Sequence, residues 1–231
     1  MLLFQKNVIS DHRLKIYLLK SDRHRWIEIC AVIVTGLFKF LVMDLLNQKL
    51  IFISAAILFW SGYVVIQVKK YPSSLQLWGF TSKNFGKSFM IILPVALVCL
   101  AAMVIYAKSI NIRLLNAHII PILLLYPLWG FIQQFLMVAL VAGNLRDMQS
   151  TKLRLSFIVL FTAILFSLVH YPYAMLMTAT FLLAVFYTSI YLRYRNLVSL
   201  GLFHGWLGCF FMFYVLNRDP YEEIFHAVLN K

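Results

Sequence analysis

Charge is what this sequence has least of. Only 13% of its 231 residues are Asp, Glu, Lys or Arg, where a soluble domain carries about 25%. That scarcity excludes an ordinary cytosolic enzyme and a disordered chain. Carboxylates are rarest: Asp11, Asp22, Glu28, Asp44, Asp147, Asp219, Glu222 and Glu223 are all eight of them. Cysteine is sparse and odd in number. Cys30, Cys99 and Cys209 lie in separate apolar runs without a CxxC pair, which argues against a disulfide framework or a zinc knuckle. Each is expected to be a small buried apolar residue. A secretory leader is not expected, because Ile16–Leu19 is too short for its apolar core and no small-residue cleavage site follows. The strict alternation of a transmembrane barrel is missing, as are repeats, low-complexity tracts and any sign of a second soluble domain.

What is present in excess is apolar surface. The sequence is 62% hydrophobic with a mean hydropathy of +0.84. Seven apolar runs, at about 27–45, 50–68, 88–107, 118–143, 154–170, 173–192 and 197–216, are each near the length that crosses a bilayer as a helix. The expected fold is therefore all-α: a polytopic membrane bundle of about seven transmembrane helices. Residues 1–26 read as a basic tail, 27–117 as three N-terminal spans, 118–216 as a four-helix core and 217–231 as a C-terminal tail with one short surface helix. The net charge of +13 would suggest nucleic acid in a soluble protein. Here the cations sit between apolar runs and suit membrane lipid headgroups, so no nucleic-acid partner is expected. Fifteen cations fall in the N-terminal tail and the 2–3, 4–5 and 6–7 loops; Lys49, Lys108, Arg113, Arg218 and Lys231 fall on the other side. The positive-inside rule then places the N-terminus in the cytoplasm and the C-terminus outside. The 69–87 loop, with Trp78 and four lysines, reads as an interfacial segment. Lys39 and Asp44 read as snorkelling or anchoring residues, and Asp147 beside Arg146 as a solvated pair.

Polar side chains inside apolar runs must find partners, so they mark packing or function. Gln133 and Gln134 lie side by side in the fourth run. Adjacent helical residues diverge by about 100°, so the two amides do not share one partner easily. Phe166 and His170 are one turn apart at the end of the fifth run and share a face. Gly201, His204, Gly205 and Gly208 fall at i, i+3, i+4 and i+7, surrounding one imidazole with glycines. Each place also has a plainer reading: interhelical hydrogen bonding for the glutamines, a helix-end histidine for His170, and a glycine packing seam for His204.

In this order and spacing, the three places resemble the CAAX-prenyl-protease and bacteriocin-processing (CPBP, or Abi-type) intramembrane proteases. That family carries Glu-Glu-x-x-x-Arg, Phe-x-x-x-His and His-x-x-x-Asn/Asp motifs. The second is intact as Phe166…His170, and Leu192–His204 resembles the approach to the third. Gln133-Gln134 replace the glutamates, Val138 falls at the arginine position with Arg146 two turns on, and Gly208 falls at the last motif position. The resemblance covers about 118–216. It implies a catalytic set of Gln133, Gln134, His170 and His204, a membrane-associated protein or peptide substrate, and a multi-pass location in a bacterial inner membrane.

In the family, a glutamate and the histidines are thought to activate a water for attack on the peptide carbonyl. Glutamine has no basic lone pair near neutral pH, so His170 or His204 is left as the base. Two histidines without a carboxylate or thiolate make a poor hydrolytic metal site, so no metal is assigned and any cofactor stays unknown. Three readings follow: an intramembrane endopeptidase cutting near the cytoplasmic face, an inactive pseudoprotease that binds peptide or a partner, and a transporter or lipid-binding protein outside the family. Depth poses a condition on the first two. At 1.5 Å per residue from the cytoplasmic ends, Gln134 and His204 lie about 10–14 Å deep and His170 about 24 Å. The fifth helix must tilt or start deeper, or the turn at Pro172 must be buried. His204 is expected to face Gln134.

Overall fold

The computed structural model describes residues 21–229, with side chains through Ile224. The expected tail before Ser21 lies outside the described residues. All regular structure among the described residues is helical. Helix α1 spans Asp22–Phe38 and runs into a π-helical stretch, Lys39–Leu45. Then come α2 (Lys49–Lys70), the one-turn α3 (Ser74–Leu77) and α4 (Phe85–Ser109). Helix α5 (Ile119–Gln134) passes through a second π-helical stretch, Phe135–Gly143, into α6 (Asn144–Asp147). Helices α7 (Leu155–Leu168), α8 (Ala174–Tyr194), α9 (Leu197–Tyr214) and α10 (Pro220–Leu229) complete the order. Six of the continuous helices are long and apolar enough to cross a membrane, and α7 is a shorter apolar helix of 14 residues. The protein is an integral multi-pass membrane protein.

The second π-helical stretch is the axis of the bundle: every residue from Phe135 to Gly143 is buried. It is apolar on all faces, as an element surrounded by other helices must be. Helix α9 packs along α5 through glycine. A Cβ on Gly205 would stand 2.5 Å from Pro127 Cα, and one on Gly130 2.7 Å from the Gly201 carbonyl oxygen. The two backbones touch, which is what small residues allow. The plainer reading of the Gly201–Gly205 face is thus what these two glycines do.

Within the 69–87 loop Trp78 is no interfacial anchor, while Lys69, Lys70, Lys83 and Lys87 stay exposed. Trp78 is 2% exposed, and its ring packs edge-on to Phe135 with centroids 5.0 Å apart. The main chain around it is sewn to the start of α9: Leu197 N–H donates to the Gly79 carbonyl at 2.8 Å, and the Asn196 amide donates to the Thr81 and Lys83 carbonyls at 2.7 and 3.0 Å. Gly79 has φ +88°, and a Cβ there would meet the Arg195 carbonyl oxygen at 2.7 Å. Glycine is required at that crossing. Residues 74–84 therefore stopper one end of the bundle.

Beside the stopper lies a polar network that the sequence reading did not foresee. Asn144 Nδ2 donates to Glu28 at 2.7 Å, Tyr63 donates to the same carboxylate, and Arg195 pairs with Asp147. Arg25 is 1% exposed and lies 4.0 Å from Asp147. Asp147 is thus held inside by Arg195 rather than solvated beside Arg146, because α8 brings Arg195 across to it. Two cysteine expectations also fail: Cys30 is exposed and Cys99 half-buried, and only Cys209 is buried. Cys30 sits on an outward face of α1, where apolar exposure is normal for a membrane helix.

The candidate active site

Gln133 is the last-but-one residue of α5, roughly 21 Å along the helix from Ile119 at 1.5 Å per residue. His204 is in the middle of α9. The close glycine contact between these helices lets their polar side chains meet: His204 Nε2 and Gln133 Oε1 are 3.0 Å apart. With the amide oxygen accepting, Nε2 carries the proton and Nδ1 is an acceptor. Nδ1 is buried and has no protein partner, and His204 is 7% exposed.

His170 reaches the same place from the end of α7. Its Nδ1 lies 2.7 Å from the Phe166 carbonyl oxygen, so Nδ1–H donates and Nε2 is left as acceptor. The Phe166 ring stands beside both imidazoles, 5.0 Å from His170 and 5.4 Å from His204 between centroids. The Phe-x-x-x-His spacing thus has a physical content here. One residue fixes the tautomer of its own histidine with its carbonyl and spaces the second histidine with its ring.

The depths do meet: both imidazoles flank the Phe166 ring in one cavity. Burial of the turn is not the cause, since Tyr171 remains 60% exposed, which leaves a tilt or a deeper start of α7. Gln133, not Gln134, is the partner of His204. Gln134 is 2% exposed and does not line the cavity that holds the other three. This follows from the 100° step between neighbours: once Gln133 faces α9, Gln134 cannot.

Gln133, Phe166, His170 and His204 line one cavity of about 800 Å³. Its walls are apolar, from Val32, Ile53, Ile57, Met103, Leu183 and Phe186 among others. The cavity runs to the bundle end opposite the stopper, where Asp44, Lys49, Arg218 and Glu223 stand in its wall. Lys39 and Asp44, read from the sequence as anchors, line it too and pair at 2.6 Å. The C-terminal helix α10 is a wall of this cavity rather than a free surface helix. Glu223 accepts from Arg218 at 2.6 and 2.7 Å and from Lys49 at 2.9 Å, tying α10 to the start of α2. Burial acts to raise the Glu223 carboxyl, but these two cations outweigh it and hold it below the ordinary carboxylate range. Nearby, Asp219 is held low in the same way, with hydrogen bonds from His118 and Asn116 exceeding the cost of burial.

Two other motif positions are settled by packing. Val138, at the family's arginine position, is 1% exposed in the core. Gly208, at the Asn/Asp position, lines the cavity, and a Cβ there would meet only the Tyr126 ring at 3.6 Å. No local pattern marks Glu223, which reaches Lys49 from 174 positions away. Chemically, the arrangement offers two imidazoles and an amide in an apolar hollow: His170 has an open Nε2, while His204 is bonded to the amide through Nε2 and has a buried, unpartnered Nδ1. Among the described residues, no carboxylate bonds to either histidine, and Asp44 and Glu223 in the same wall are engaged by cations.

Residues 114–210 match the family described as Type II CAAX prenyl endopeptidase Rce1-like. The match includes all three motif segments and agrees with the family that the motifs resemble. No curated protein and no solved structure matches the chain.

Proposed function

With residues 114–210 matched to the CAAX prenyl endopeptidase family, we propose that this protein is an intramembrane endopeptidase acting on a membrane-associated protein or peptide. The observation that carries the reading is the Gln133–His204 contact beside His170 in one apolar cavity. In the proposed reaction, a water oxygen attacks the scissile carbonyl carbon. The open Nε2 of His170 takes the water proton and later returns it to the leaving amide nitrogen. The NH2 of Gln133, held in place by the His204 bond, donates to the developing oxyanion.

The test is cleavage of a set of membrane peptides by the purified protein in a defined bilayer. His170→Ala is expected to lower the rate by about 10²–10⁴-fold, the usual worth of a general base, and His204→Ala to lower it by releasing Gln133. Undiminished cleavage in His170→Ala would refute the assignment.

A second reading, a pseudoprotease that binds peptide without cutting it, is favoured by one observation: the histidines have no carboxylate partner, since Gln133 stands where the family carries Glu. Gln133→Glu combined with Gln134→Glu separates the two. Activity seen only in the double variant supports the pseudoprotease; activity already present in the wild type supports the enzyme.

A further inference from the structure

The cavity has one polar end and one closed end, and the two differ in charge. At the closed end, the 74–84 stopper buries Trp78 and Leu77 and binds its backbone to α9 through Asn196. The Arg25–Asp147–Arg195 cluster lies against it. No residue of the 69–87, 147–154 or 193–197 segments lines the cavity. At the other end, Asp44, Lys49, Arg218 and Glu223 form part of its wall.

Basic residues are concentrated at the stoppered end. Arg23, Arg25, Lys69, Lys70, Lys83, Lys87, Arg146, Lys152, Arg154, Arg193 and Arg195 all lie there, against Lys39, Lys49, Lys108, Arg113 and Arg218 at the open end. A bias of this size in short loops places the richer end in the cytoplasm. The cavity then faces away from the cytoplasm, which runs against the expectation that cleavage takes place near the cytoplasmic face.

We propose that the histidine cavity opens to the extracytoplasmic side of the membrane, so that its substrates are apolar peptide segments displayed on that side, such as the outer end of an exported membrane-held peptide. The substrate half of this proposal rests on the endopeptidase reading. The sidedness half stands on topology and cavity geometry alone.

Ala117, in the open-end loop, and Lys152, in a stoppered-end loop, are both exposed. Single cysteines at these positions are labelled in intact cells with a membrane-impermeant maleimide, using the wild type as baseline. The expected result is labelling of Ala117→Cys in intact cells and of Lys152→Cys only after permeabilisation. The reverse pattern overturns the proposal. A fusion at the C-terminus needs no substitution in the bundle: an alkaline phosphatase should be active there and a green fluorescent protein dark, and the opposite pair overturns the proposal. Two reporter peptides, with the cleavable segment on the outer or the cytoplasmic end of one anchor, then read the substrate side. Cutting of the outer reporter alone, lost in His170→Ala, is expected; cutting of the cytoplasmic reporter alone overturns the proposal. If labelling places the cavity outside and neither reporter is cut, sidedness is upheld and the endopeptidase reading falls.

Discussion

Two neighbouring glutamines carry different roles because a helix turns about 100° per residue. Gln133 meets His204 and Gln134 is packed in the core. Gln133→Leu is therefore expected to lower cleavage at least about tenfold, by removing the amide that donates to the oxyanion. Gln134→Leu should leave the cleavage rate near wild type once the folded fraction is equalised, and equal losses in both variants would contradict this split. The glycines make a similar contrast. Gly205→Ala must push against the Pro127 backbone, and overpacking of that kind costs about 1–3 kcal/mol. A lowered melting temperature in detergent is the readout. A Cβ at Gly208 meets only a tyrosine ring at ordinary contact distance, so the melting temperature of Gly208→Ala should stay within a few degrees of wild type. The pairing of residue types was legible in the sequence: amides and histidines stood out in apolar runs. Which of the two amides faces His204 was not, because that depends on the roll of α5 against α9.

At the scale of elements, length and closure decide the geometry. The sequence showed seven apolar runs, and the structure resolves them as six long helices and the short α7. Helix α7 ends at Leu168, before the apolar run does, and His170 meets His204 across the Phe166 ring from the turn that follows; no composition signal marks that end. The stopper was misread for a physical reason. Tryptophan and lysine together suit an interface, but here Trp78 is drawn into the core by Phe135 while the lysines stay outside. Trp78→Ala is expected to destabilise the fold by about 3–5 kcal/mol, as large aromatic deletions do, with a matching fall in detergent melting temperature. The latch on α10 has a pH signature. Glu223 is held below the ordinary carboxylate value by Arg218 and Lys49 after burial is overcome. Its contribution is complete above that ordinary value and disappears as pH falls through the lower folded value. Hydrogen exchange at Pro220–Leu229 should thus show the same protection factors at pH 7 and pH 5. Glu223→Gln should reduce protection at both, and protection lost already between pH 7 and pH 5 in the wild type would contradict the assignment.

For the whole molecule, fold class and the motif-bearing core were open to reading from hydropathy and spacing, and the family match over 114–210 agrees with them. The long-range polar pairs were not. Lys49 with Glu223, Asn144 with Glu28 and Asn196 with the Thr81 carbonyl join distant segments, and no local pattern announces such partners. Together they close one end of the bundle and frame the other, leaving two histidines and one amide in an apolar hollow. The most direct measurement of what that hollow does is mass spectrometry of a membrane peptide incubated with the reconstituted protein in water enriched in oxygen-18. Hydrolysis predicts fragments whose new C-terminal carboxylate carries one heavy oxygen, formed by the wild type and suppressed in His170→Ala. Peptides left intact by the wild type, or labelled fragments formed equally by His170→Ala, would contradict it.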